Sequence, residues 1–312
     1  MDINSKIYIA GHRGLIGSAI LRKLKSLSYE NLVLATHNQL DLTDQKKVEK
    51  FFLKNKPEYV FLAAAKVGGI HANKSFPAEF IYQNLMIQSN LIDAAFKNNV
   101  KKILFLSSSC VYPKFCKSPI KEEYLFEGSI EPTNEFYGYA KLAGIKMCQA
   151  YNNQYKTKFI VAIPSNVYGI NDRFDDNGHV LSSLISRFYD AKIKNKDKVV
   201  LWGTGKPKRD FLFADDLADA CAFLMKNYDG NEHINIGTGK ATSILQLSKM
   251  VKEIINYPGE VVLDKSKPDG NLNRILDCQR MKSLGFKPST SLEEGLNITY
   301  EWFKKSKINT LQ

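Results

Sequence analysis

The sequence predicts an α/β fold, a Rossmann-type doubly wound parallel sheet with a smaller mixed α/β C-terminal lobe. Three observations predict it. Short β-branched runs alternate with amphipathic stretches as far as Ile163, the first run ends in a glycine-rich turn, and the alternation loosens after Pro164.

Lys6–Ala10 reads as the first strand, Ile16–Leu27 as an amphipathic helix and Asn31–Leu34 as the second strand. Gln45–Lys54 is the next helical stretch and Tyr59–Leu62 the third strand. The pattern continues with a helix over Phe80–Asn98, a strand Lys102–Leu106, a helix from Glu135 to Tyr155 and a strand Phe159–Ile163. Such alternation argues for parallel strands covered on both faces by helices. Polar loops at 171–178 and 203–208 precede mixed short elements. Residues 1–168 are therefore assigned to a dinucleotide-binding domain, to which later segments can return, and 169–312 mainly to a substrate lobe.

Composition narrows the class. The 312 residues are 44% hydrophobic and 24% charged, with 19 Gly and 10 Pro, which excludes a low-complexity chain. No apolar run approaches the roughly 20 residues of a membrane span, and Met1 leads into a strand without a cleavable signal pattern. A cytoplasmic protein is expected. Cys110, Cys116, Cys148, Cys221 and Cys278 have no paired metal-ligand spacing, so reduced thiols and no metal are expected. The net charge of +12 is carried by dispersed lysines such as Lys194, Lys196 and Lys198. That dispersion argues against nucleic acid as a partner, while the charge favours approach of anionic ligands.

Gly11-His12-Arg13-Gly14-Leu15-Ile16-Gly17 follows the first strand and opens the first helix. Glycines there allow a tight turn, close approach of backbone to a pyrophosphate and close packing of helix on sheet. An enzyme selecting NAD normally carries an acidic residue after the second strand to hold the ribose 2′-hydroxyl. Here Leu34 leads to Ala35-Thr36-His37 instead, and Arg13 offers a partner for a 2′-phosphate. NADP(H) is the expected cofactor, with His37 assisting. Asp41 and Leu42 beside the adenine, and Ala63, Ala64 and Ala65 after the third strand, are further candidates that ordinary packing explains equally well.

Tyr137 and Lys141 stand four apart, on one face of a predicted helix. A cation near a tyrosine stabilises its phenolate and makes it a usable acid or base, and Lys141 can also hold the nicotinamide ribose. The spacing is common by chance. Its weight comes from Ser107-Ser108-Ser109-Cys110, a hydroxyl-rich strand end where ligands of such sheets bind.

Taken together, Ala10–Gly14, Ala63-Ala-Ala-Lys-Val-Gly-Gly69, Tyr82-Gln-Asn84, Ser108-Ser-Cys-Val-Tyr-Pro113, Glu131-Pro-Thr-Asn-Glu135, Ala143-Gly-Ile-Lys146 and Ser266-Lys-Pro-Asp-Gly270 carry a resemblance that runs nearly end to end. The chain resembles the GDP-L-fucose synthase family of extended short-chain dehydrogenases. The resemblance implies Ser108, Tyr137 and Lys141 as the reductive triad, Tyr137 giving a proton to the sugar's C4 oxygen. It implies Cys110 and His179 as an acid/base pair for epimerisation, with His179 also beside the cofactor. Pro164, Asn166 and Val167 would line the nicotinamide, and Arg187, Trp202, Arg209 and Asp277 would hold the GDP-sugar. A homodimer packed through the Tyr137 helix and its neighbour is implied as well. Departures from the family pattern are His37 for an arginine, Ser107 for a glycine, and Phe136 and Gly138-Tyr139 for a proline and small apolar residues. The activity expected is NADPH-dependent reduction of the C4 ketone of a GDP-4-keto-6-deoxy sugar with C3/C5 epimerisation. The alternatives are a GDP-4-keto-heptose C4-reductase without epimerase activity and, in another class, a catalytically silent dinucleotide-binding sensor.

Overall fold

Residues 1–175 and 178–311 are described by the computed structural model. The chain runs β1 (Ile7–Ala10), α1 (Leu15–Ser26), β2 (Leu32–Val33), α2 (Gln45–Asn55), β3 (Tyr59–Leu62), α3 (Ile70–Ser75), α4 (Pro77–Lys97) and β4 (Lys102–Leu106). Two 3₁₀ turns, Ser109–Val111 and Glu122–Phe126, lead to α5 (Glu135–Tyr155), β5 (Phe159–Pro164) and β6 (Asn166–Tyr168). Then come α6 (Val180–Ile193), β7 (Lys198–Trp202), β8 (Lys208–Arg209), β9 (Phe211–Phe213), α7 (Ala214–Asn227) and β10 (Ile234–Ile236). The chain ends with β11 (Thr242–Ser243), α8 (Ile244–Ile255), β12 (Glu260–Asp264), β13 (Asn273–Arg274), α9 (Gln279–Ser283) and α10 (Leu292–Leu311).

Six strands form one sheet in the order β10-β5-β4-β3-β1-β2, every pair parallel. Alternation of side chains sends Tyr8, Val60, Phe105 and Val161 to the face covered by α2, α4 and α5, where Phe52, Leu91 and Ile145 are fully buried. Ile9, Phe61, Leu104 and Ile160 point to the other face, against Ile20 and Leu24 of α1 and Leu217 and Leu224 of α7. Each such side chain contributes about 1.5–3 kcal/mol on burial, and this two-sided cover is what makes the strands near-continuous apolar runs in the sequence. The order reverses at β1, between β2 and β3. In such sheets the ligand crevice lies outside the carboxyl ends of the strands at that reversal.

The second lobe is built from short strands. β12 pairs with β7, and β8 lies between antiparallel β11 and parallel β13. α6, α8 and α10 close a separate core around Phe188, Leu247 and Phe303. The chain returns to the large sheet from this half: α7 packs on α1 through Arg22–Asp215 and Lys23–Asp219 ion pairs, and β10 extends the sheet beyond β5. Fully buried Asp210 ties that return together, accepting from the Thr238 and Gly239 amides at 3.1 Å while its own carbonyl accepts from the Asn166 amide. Among the described residues no helix is long and apolar enough to cross a membrane.

Candidate active site

The glycine loop sits at the carboxyl end of β1. Gly11 adopts φ +84°, and a Cβ there would come within 2.8 Å of the Ala64 amide nitrogen at the end of β3. Gly17 is buried in the first turns of α1, where a Cβ would meet the Gly11 carbonyl carbon at 2.6 Å. Gly14 differs: it is the exposed N-cap of α1, and the nearest atom to a Cβ is the Gly11 oxygen at 3.5 Å. Two glycines thus fold the loop and the third leaves its outer surface clear. α1 has no acidic residue in its first turn and no side-chain cap, so its first amides and the positive end of its dipole face the crevice. Leu15 and Ile16 begin that turn half-buried. His12 Nδ1 is buried there without a partner.

The end of β2 carries no carboxylate, and Arg13 and His37 are both exposed. Asp41 turns inward to Thr43, whose hydroxyl at 2.7 Å is the main cause holding the carboxyl below its ordinary range. The Leu42 carbonyl accepts from Asn90 of α4 at 2.9 Å. Ala63 bonds back to Ala10 at 3.0 Å, so Ala63–Ala65 leave β3 beside the glycine loop. Pro164 closes β5, and Asn166 and Val167 begin β6, which pairs with Phe211 and Leu212 of β9. Apart from Lys141, the sequence-selected cofactor residues before position 168 lie at or beyond the carboxyl ends of β1, β2, β3 and β5. A bent, cation-flanked cradle with no carboxylate at the end of β2 fits a dinucleotide bearing a 2′-phosphate.

Beyond β4 the chain turns at Ser108, whose Oγ accepts from the Cys110 amide at 3.3 Å and is hydrogen-bonded to the Tyr137 phenol. Tyr137 is half-buried, its ring edge-on to Phe80 at 6.4 Å. Burial, with Cys110 nearby, pushes the phenol well above its ordinary value, and Ser108 only partly offsets this. Lys141 departs from expectation. Its Nζ donates to the Leu106 carbonyl at 2.9 Å and lies 4.8 Å over the Phe105 ring, and burial pulls its pKa down to about 7. It anchors α5 to the end of β4, and the Tyr137 proton affinity is set first by burial, then by Cys110 and Ser108.

Two residues that sequence reasoning did not select hold this corner. Asn134 Nδ2 lies 3.0 Å from Cys110 Sγ, and Arg274 of β13 donates to the Ser109 carbonyl at 2.6 Å. Asn134 was visible only as part of the Glu131–Glu135 stretch, and nothing in the sequence marks Arg274. Arg209, paired in register with Arg274, donates to the Asn271 carbonyl at 2.7 Å. Its guanidinium is pushed down by burial and by Arg274, while the charge of Cys110 opposes that shift.

His179 is the N-cap of α6 and exposed, its Nδ1 3.6 Å from Asp172 Oδ1. The Asp172 side chain, another unselected residue, raises the imidazole's pKa chiefly through this contact. Arg187, further along α6, donates to the Val200 carbonyl on β7, the strand that ends in Trp202, which is 72% exposed. Asp277, three residues past Arg274, accepts from the Gln279 amide at 2.8 Å. Strand pairing brings Arg209 to Arg274, and a side-chain hydrogen bond ties Arg274 to the Ser108–Cys110 turn. Arg187 and Trp202 share the β7 end, and Asp277 sits apart, at the start of α9.

Residues 7–237 match the NAD dependent epimerase/dehydratase family. The chain is 52% identical over 313 residues to a putative GDP-L-fucose synthase 2 of Arabidopsis thaliana, covering 100% of this chain and 95% of that protein. It is similar in structure to a GDP-6-OMe-4-keto-L-xylo-heptose reductase from C. jejuni, with a TM-score of 0.94 and 42% identity over 98% of this chain and 99% of that one. A GDP-mannoheptose C4 reductase from Campylobacter jejuni, solved with NADP bound, gives a TM-score of 0.91 and 44% identity over 97% of this chain and 99% of that one. Fold and site define an NADP(H)-dependent oxidoreductase. Within that class, the chain belongs to the GDP-L-fucose synthase family.

Proposed function

We propose that the protein reduces the C4 ketone of a GDP-4-keto-6-deoxy sugar after epimerising its C3 and C5, giving a GDP-L-fucose-like product. The observation that carries this is the meeting of Ser108 and Cys110, on the turn beyond β4, with Tyr137 of α5, at the same end of the sheet as the cofactor cradle. The ketone acidifies the protons on C3 and C5. Cys110, as thiolate, removes such a proton and becomes a thiol, while His179, kept towards its protonated form by Asp172, returns one to the carbon. NADPH, when bound in the cradle, would supply the hydride for C4. Ser108 holds the carbonyl oxygen and Tyr137, fully protonated at neutral pH, gives it a proton. Arg187, Arg209, Trp202 and Asp277 are read as the GDP-sugar contacts, the arginines suiting a diphosphate by their planar fork.

The test is turnover of GDP-4-keto-6-deoxy-mannose in deuterium oxide with NMR of the product. Deuterium at C3 and C5 is expected, and Cys110→Ser should cut its incorporation at least about a hundredfold. Full incorporation in the variant would remove Cys110 from the epimerisation. A second reading, a GDP-4-keto-heptose C4-reductase without epimerisation, is favoured by one feature: α5 begins with exposed Phe136 and Tyr139 around buried Gly138. Heptose-selective turnover with no solvent deuterium would establish that reading instead.

Arg13 is read as the 2′-phosphate partner, with His37 beside it. Arg13→Ala should raise the Kd for NADPH roughly tenfold and leave that for NADH unchanged, as charge-assisted contacts of this kind predict. Equal weakening of both cofactors in a fluorescence titration would place the arginine elsewhere. The reading also includes a cytoplasmic homodimer. Tyr82 on α4 and Tyr139 on α5, exposed on two helices that pack together, are read as part of that interface, and five unpaired thiols suit a reducing compartment.

A further inference from the structure

Asparagine at a helix N-cap ordinarily turns its side-chain oxygen onto the amides of the first turn. Asn134 occupies that position on α5 and makes no such bond. Its Nδ2 instead lies 3.0 Å from Cys110 Sγ, and its Oδ1 is buried without a partner. A good cap has been given up, and an amide oxygen desolvated, for one contact with sulfur. Gly138 makes that contact geometrically possible, because a Cβ there would stand 2.9 Å from Ile130 and 3.2 Å from the Cys110 carbonyl, holding the first turn of α5 away.

We propose that Asn134 is a positioning residue for Cys110, donating a hydrogen bond that favours the thiolate and fixes where its sulfur lies. This rests on the epimerase role read for Cys110 above. A thiol sulfur is a weak acceptor and a thiolate a strong one, so an amide N–H is worth more to the charged form. The donor does not titrate and acts at every working pH. The other groups facing the sulfur are the Tyr137 phenol from α5 and Arg209 from β8, with Arg274 of β13 braced on the adjacent Ser109 carbonyl and Ser108 on the same turn. None of them changes in the variants that test the role.

The test is iodoacetamide alkylation of the full chain across pH, with the Cys110 peptide quantified by mass spectrometry so that the other four cysteines report separately. Asn134→Ala should move the midpoint of Cys110 alkylation upwards by about one pH unit, about tenfold less thiolate below the midpoint. Asn134→Asp keeps the shape, restores a preferred cap that secures the fold, and replaces the donor with a charge; it should move the midpoint at least as far. A merely structural role would alter melting and leave the midpoint in place, and an unmoved midpoint in both variants overturns the proposal. So does a wild-type midpoint in Asn134→Asp, which would mean that the thiol donates to Oδ1. The underlying reading fails separately: solvent deuterium incorporation that survives Cys110→Ser removes the epimerase role while leaving the alkylation shift intact.

Discussion

Tyr137→Phe is expected to lower kcat at least about a thousandfold while the NADPH Kd stays within about twofold of the parent value. The magnitude follows from the 10²–10⁴ that a positioned general acid contributes. The substitution removes one oxygen and keeps the ring, so the edge-on packing against Phe80 and the start of α5 are preserved. What is lost is the phenol proton that meets Ser108 at this corner of the site. Burial holds the phenol far above its ordinary value, so it is fully protonated throughout the neutral range, the state a ketone reductase needs. The loss should therefore be flat between about pH 6 and pH 9. Stopped-flow or steady-state NADPH oxidation measures kcat, and quenching of protein fluorescence measures Kd. Unchanged turnover would show that the C4 oxygen takes its proton from another source, and a lost Kd would make Tyr137 a cofactor ligand first.

Most of the large sheet was legible because parallel strands buried on both faces leave unbroken β-branched runs in the sequence. β3 and β4 fall where the sequence put them, and α2 ends one residue later. The run Asn31–Leu34 shrank to two residues, because β2 is an edge strand that pairs only with Ile7 and Tyr8. α3 is six residues long, too short to show a helical period. β8, β11 and β13 are two-residue strands whose existence depends on tertiary register, and no local pattern announces such pairings. The return of α7 and β10 to the first domain has the same origin: the segment is an ordinary helix and strand in sequence, and the Arg22–Asp215 pair and the buried Asp210 decide where it docks.

The site divides in a similar way. Tyr137 was visible through its spacing from Lys141 and the hydroxyl-rich end of β4, and Ser108 was singled out among Ser107–Ser109 only by the family resemblance. Lys141 shares α5 with Tyr137 as the spacing predicts, and its ammonium bonds the Leu106 carbonyl over the apolar Phe105 ring, a contact that spacing along one helix does not reveal. Asp172 and Arg274 carried no signal, and Asn134 only its place in the Glu131–Glu135 stretch. They are single polar residues at the edges of elements, and the contacts that give them meaning span up to 165 positions of chain, as between Arg274 and Ser109.

The same distinction, between a residue's type and the atoms it meets, sets the second large effect. Gly17→Ala should destabilise the protein by about 3 kcal/mol, lower Tm by roughly 5 °C or more, and weaken NADPH binding by at least about a hundredfold. Its new methyl would collide with the Gly11 carbonyl and sit 3.0 Å from the His12 Cα, and these are backbone atoms that no rotamer change can clear. Relief requires moving the loop off α1, which undoes the cradle that positions the amides for the pyrophosphate. Gly14→Ala supplies the contrast. A methyl there finds ordinary contact at 3.5 Å from Gly11 O and otherwise points to the open crevice, so Tm should hold within about 1–2 °C. Affinity for NADPH should still fall about tenfold or more, because the methyl stands where a phosphate must approach the backbone. Differential scanning fluorimetry with and without NADPH separates the two. If Gly14→Ala bound NADPH as well as the parent, the outer surface of the loop would not be where the pyrophosphate lies. If Gly17→Ala melted normally, the close approach of helix and loop would not be what fixes this end of the fold.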